Sequence, residues 1–149
     1  MMNVQNVKVA ALAVPQLKDN GAVTTVAVDT LGYDEALAII AIGSTDIAMT
    51  ALKMTESDDN STYTDVSGAD FNGSTTIDGT TATLPDENAD STIRLVHLDL
   101  RKRKRYLKLS ASAGDGTTGT YISGMLVMSK AEQAPKTGTA MGATAALRV

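Results

Sequence analysis

A chain of 149 residues with no Cys, no Trp, one His and one Phe has almost none of the side chains that nucleophilic and metal chemistry draw on. Its net charge of -4 hides a split: residues 1–92 carry three basic against fourteen acidic side chains (-11), and residues 93–149 carry ten against three (+7). These numbers exclude a disulfide framework and thiolate-metal sites, and they point to a structural part rather than an enzyme.

One domain is expected at this length, burying roughly 68–70% of the surface its unfolded chain exposes. With 43% hydrophobic and only 3% aromatic residues, its core must be aliphatic. Apolar runs stay short of the roughly 20 residues that span a bilayer, and Met1-Met2-Asn3-Val4 lacks the basic start of a signal peptide. A soluble product made in a cytoplasm is the expectation, with no membrane partner.

In chain order, residues 1–22 mix Val and Ala with Asn, Gln and Lys around Pro15 and end in the turn signal Asp19-Asn20-Gly21. They read as an N-terminal arm, helical over a turn or two or extended along a neighbour. From Val23 the pattern becomes short strands. Residues 24–31 alternate, 36–42 are apolar on both faces as in a central strand, and 47–57 alternate again. A polar loop at 57–62 precedes a short strand at 63–66, and Asp78-Gly79 centres a hairpin within the Thr/Asp/Gly-rich stretch 67–91. Residues 93–100, 106–113 and 121–129 supply three more strands. In 106–113, Leu107, Leu109 and Ala111 face in, while Lys108, Ser110 and Ser112 face out. Residues 131–149 read as a flexible C-terminal arm. The expected fold is all-β: an antiparallel β-sandwich or jelly-roll-like body of about eight short strands at 23–130, with extended arms at both ends. If the charge split became spatial, the molecule would show two faces of opposite sign suited to oriented docking.

Candidate contact residues begin with Arg101, Lys102, Arg103, Lys104 and Arg105. Five consecutive cations suit an acidic protein surface, or equally a solvated hairpin. Nucleic acid is disfavoured, because Tyr106 is the only stacking ring beside the run and the acidic half repels a polyanion. In the C-terminal arm, Met141, Leu147 and Val149 are expected to form an apolar anchor for a partner's groove.

His97 lies mid-strand with Asp99 on the same face, and Ser110 and Ser112 are expected on the adjacent strand. Without a nucleophile elbow or an oxyanion loop the set is a coincidence of common residues, and no catalytic residue is assigned. The acidic loops Asp58-Asp59-Asn60 and Asp86-Glu87-Asn88-Ala89-Asp90 would need to meet at one end of the sandwich to hold a calcium ion. They lack EF-hand spacing, so no metal or other cofactor is expected.

Three stretches carry a resemblance: Asn20-Gly21-Ala22-Val23-Thr24-Thr25, Val28-Asp29-Thr30-Leu31-Gly32-Tyr33-Asp34 and Leu52-Lys53-Met54-Thr55-Glu56-Ser57-Asp58. With Leu98-Asp99-Leu100 and Arg105-Tyr106-Leu107 they resemble small proteins encoded near the major capsid protein in the structural-gene block of tailed bacteriophages. The resemblance covers roughly residues 20–130 and has no catalytic motif. It implies a virion component on the capsid surface, synthesised in the bacterial host: a decoration (cement) protein, dimeric or trimeric, that bridges neighbouring major capsid subunits. Alternatives are a head–tail or tail-surface component, and a carbohydrate-binding β-sandwich. The last is disfavoured by the shortage of aromatic stacking platforms.

Overall fold

The computed structural model describes residues 6–132 and 139–144. Nine strands follow in chain order: β1 (Lys8–Lys18), β2 (Gly21–Ala22), β3 (Val28–Asp29), β4 (Tyr33–Thr45), β5 (Ala51–Ser57), β6 (Thr64–Asp70), β7 (Thr92–Asp99), β8 (Tyr106–Ala113) and β9 (Thr120–Ala131). They form two antiparallel sheets, one in the order β1-β9-β4-β7 and the other in the order β2-β8-β5-β6, with β3 also on β8.

The topology is a long hairpin rolled up. The chain pairs β1 with β9, β2 and β3 with β8, β4 with β7, and β5 with β6. The further ladders β4–β9 and β5–β8 then close the two sheets. Counting β2 and β3 as one interrupted strand gives the eight strands of a jelly roll.

Period-two alternation builds the core between the sheets. Ala38 and Ile40 on β4, Leu52 and Met54 on β5, Leu107 on β8, and Leu126 and Met128 on β9 have no exposed surface. Inward-facing Leu109 and Ala111 join them. Two Thr hydroxyls are tolerated at the edge of this core because Thr45 and Thr120 hydrogen-bond each other at 2.7 Å.

Residues 1–22 are not a separate arm over the described stretch. Lys8–Lys18 is a sheet strand and Leu12 is fully buried. Its irregular pattern follows from two register shifts, either side of Ala13, and from Pro15, which an edge strand accommodates. The Gln16 side-chain amide pairs with the main chain of Thr24, accepting its N–H at 3.0 Å and donating to its C=O at 2.8 Å. Residues 23–27 lie outside any strand, so the expected strand at 24–31 shrinks to Val28–Asp29. The Asp78-Gly79 hairpin is present as an isolated bridge between Thr75 and Thr81.

Candidate interaction surface

The two outer faces of the sandwich differ in chemistry. On the five-stranded sheet, β8 turns Lys108, Ser110 and Ser112 outward, opposite Thr55, Lys53 and Ala51 of β5. Lys53 holds Asp65 of β6 at 2.7 Å. This is the polar outer face that an antiparallel sandwich normally presents to water.

The four-stranded sheet is apolar outside as well as inside. Register places Leu95, Ile39, Met125 and Ala11 in one row across β7, β4, β9 and β1. The next row toward the sandwich end holds His97, Leu37, Val127 and Val9. Ile93 is 63% exposed, Leu95 50% and Met125 49%. At one rim of this face Glu35 holds Lys130 and Asp99 holds Arg101. Contiguous exposed apolar surface with a polar rim marks a contact face.

The basic run behaves differently from a free cationic patch. Asp99 caps the 3-10 turn at Leu100–Lys102 by accepting the Arg101 N–H, and its carboxylate also holds the Arg101 guanidinium at 2.9 Å and Lys102 at 3.7 Å. Arg103 lies 3.5 Å from Glu56, whose carboxylate also accepts the Lys104 main-chain N–H at 3.1 Å. The Lys104 ammonium reaches Asp58 at 4.0 Å, and Arg105 grips Asp29 at 2.7 Å. Three of the five cations therefore meet acidic residues of the first half of the chain, because strands from both halves interleave. The -11 and +7 halves do not become two opposed faces. Arginine hydrogen bonds and charge hold the Asp29 and Asp99 carboxyls below their ordinary range.

The other sequence candidates separate in space. His97 is exposed on the outer face of the four-stranded sheet, whereas Ser110 and Ser112 face out from the other sheet. They lie on opposite sides of the sandwich, because β7 and β8 belong to different sheets rather than being neighbours. The loop with Asp58 and Asp59 follows β5, at the end of the sandwich where β4 begins. The loop 86–90 precedes β7, at the end where β4 finishes. They cannot share an ion. Among the described residues, no group of three or more His, Cys, Asp or Glu is placed to hold a metal.

These acidic residues have local work instead. Asp59 accepts hydrogen bonds from the main-chain N–H groups of Thr62 and Ser61 and from the Ser57 hydroxyl, which lower its pKa to about 2. Asp46 gathers the N–H groups of Thr117, Thr118 and Gly119, and these lower its pKa too.

Met141 is half-buried, and its C=O accepts the Val9 N–H of β1 at 2.7 Å. Leu147 and Val149 lie outside the described residues. Sequence reasoning missed the outer apolar face, although its signal was present. The runs 36–42 and 93–100 are apolar at both odd and even positions, a pattern that a central position in a sheet also explains.

No protein-family model and no curated protein matches the chain. In fold it is similar to the crystal structure of the SPBc2 prophage-derived protein YomS, with a TM-score of 0.50 and 9% sequence identity, over 85% of this chain and 97% of that one. At that identity the likeness is one of fold. Among the described residues, no helix is long and apolar enough to cross a membrane.

Proposed function

We propose that this chain is a structural virion protein of a tailed bacteriophage, a capsid decoration (cement) protein that binds the outer shell and bridges neighbouring major capsid subunits. The observation that carries the reading is the four-stranded sheet, apolar on both faces in a body whose other sheet is solvated. One apolar face is the core; the second is surplus to folding and suits a protein surface. The fold likeness to a prophage-derived protein supports a phage setting, and the sequence resemblance supports a place near the shell.

The mechanism is mass action. A subunit that binds the assembled shell and not its separated parts stabilises the shell, and a repeating lattice lets several weak contacts per subunit act together. Four strands at about 4.8 Å and six residues at about 3.3 Å make the apolar face roughly 400 Å² in plan. That is small against the roughly 800 Å² per partner of a standard interface, so the face works with further contacts and not alone.

Ala11 and Met125 are register partners on this face and both are exposed. The test is co-sedimentation of the purified protein with shells of the major capsid protein. The double variant Ala11→Lys with Met125→Lys is expected to keep the wild-type melting temperature and to lose shell binding at least tenfold. Wild-type binding by a folded double variant would overturn the docking face.

A further inference from the structure

The four-stranded sheet has two unequal edges. The chain itself covers the edge at β1: the Val26 N–H donates to Leu12 C=O at 2.8 Å and the Val9 N–H donates to Met141 C=O at 2.7 Å. The opposite edge is β7, which pairs with β4 on one side. Among the described residues no strand pairs with its other side.

A groove of about 640 Å³ runs beside that open edge. Leu95, Val96 and His97 of β7 form one wall, and Phe71 and Ile77 form part of the other. Ile77, at the hairpin tip, is 86% exposed. Asp70 and Asp78 also line the groove, and among the described residues neither forms an ion pair with a cation.

This combination specifies its occupant. An unpaired strand edge takes an extended chain through main-chain hydrogen bonds, and the pockets beside it select side chains at alternate positions. An apolar groove asks for apolar side chains there, and the Asp70 and Asp78 carboxylates, which accept the N–H groups of Asn72 and Thr80 but hold no cation in an ion pair among the described residues, favour a cation beside them. Residues 145–149 read Ala-Ala-Leu-Arg-Val, with Leu147 and Val149 at alternate positions and Arg148 between. We propose that this segment of a second copy adds to the open edge of β7. Leu147 and Val149 fill the groove, and the Arg148 guanidinium meets Asp70 and Asp78.

Distance favours a second copy. Met141 lies outside β1, so a strand outside β7 is five strand spacings away, about 24 Å. Six extended residues from Met141 to Leu147 span at most about 20–22 Å. Donor and acceptor stand at opposite edges of one sheet, so the contact joins different surfaces of the two copies. The inference does not depend on the shell: self-association is read in the free protein.

Sedimentation velocity of the full-length chain over a concentration series tests it. The wild type is expected to self-associate. Ile77→Asp, which spoils the groove, and Leu147→Asp with Val149→Asp, which spoils the segment, are each expected to weaken association at least tenfold without changing the thermal melt. Mixing the two variants is expected to restore a complex, because one retains an intact segment and the other an intact groove. A fluorescent peptide of sequence Ala-Thr-Ala-Ala-Leu-Arg-Val is expected to bind the segment variant and not Ile77→Asp. Wild-type association by both variants overturns the proposal. So does a wild type that stays monomeric at millimolar concentration while the peptide fails to bind. Shell co-sedimentation of Ile77→Asp reads the docking face separately, since Ala11 and Met125 are untouched.

Discussion

The guanidinium of Arg105 holds the carboxylate of Asp29 through two hydrogen bonds, Nε to Oδ1 at 2.9 Å and Nη2 to Oδ2 at 2.7 Å. The pair joins residues 76 positions apart and fastens β3 to the start of β8, where Val28 and Leu107 are already ladder partners. It also draws one cation of the 101–105 run back onto the body. Replacing Arg105 by Gln removes the group that lowers the Asp29 carboxyl most. The Asp29 pKa is expected to rise toward its ordinary value of 3.8, which an NMR titration of the side-chain carboxyl measures. Because the pair is exposed, the thermal midpoint should move little.

Acid should destabilise the fold over a defined window. Asp59, at about 2, and Asp46, Asp29 and Asp99, all lowered, bind protons less readily folded than unfolded. The stability that their hydrogen bonds and ion pairs contribute is complete above the ordinary value of 3.8. It is lost as the pH falls through the folded values toward about 2. Urea midpoints are therefore expected to be steady from pH 7 to 5 and to fall steeply between pH 4 and 2. In Asp46→Asn the starting stability should be lower and the acid-dependent part smaller. A flat profile would mean that these loops do not contribute to folding.

Leu126 has no exposed surface and sits mid-sheet on β9, between β1 and β4. Leu126→Ala is expected to cost about 2–5 kcal/mol in urea unfolding, from lost burial and the cavity left behind. Ser110→Ala, on the outer face of the other sheet, should stay within about 0.5 kcal/mol.

Gly119 is required by its backbone. It has φ of +89°, and a Cβ there would collide with the Lys18 carbonyl oxygen and the Asp19 backbone. Its N–H also donates to Asp46 at 2.8 Å. Gly119→Ala is expected to destabilise by at least about 1–3 kcal/mol, read as a lower thermal midpoint with an unchanged circular dichroism spectrum below it.

The body was legible because its strands are short and alternate. The facing of Leu107, Leu109 and Ala111 follows from period two alone, and the turn at Asp78-Gly79 follows from its residues. What could not be read was pairing at a distance. The strand Lys8–Lys18 carries an irregular apolar pattern, since register shifts either side of Ala13 break its alternation, and so its sequence reads as an arm. The placement of β7 and β8 in different sheets is a property of the rolled hairpin, not of residues 93–113. The same long-range pairing carries Glu56 and Asp29 to the basic run, a neighbourhood that no local window contains. The apolar outer face was written in Ile93, Leu95, Ile39 and Met125, but a buried central strand and a docking strand share that pattern. Only the observed exposure separates them.

A lattice-wide virion role is open to one decisive measurement: counting this chain in purified particles by quantitative mass spectrometry against the major shell protein. The expected copy number equals that of the shell protein or a simple fraction of it. A count of around a dozen would place the chain at the tail or portal, and absence from particles would contradict a virion role altogether.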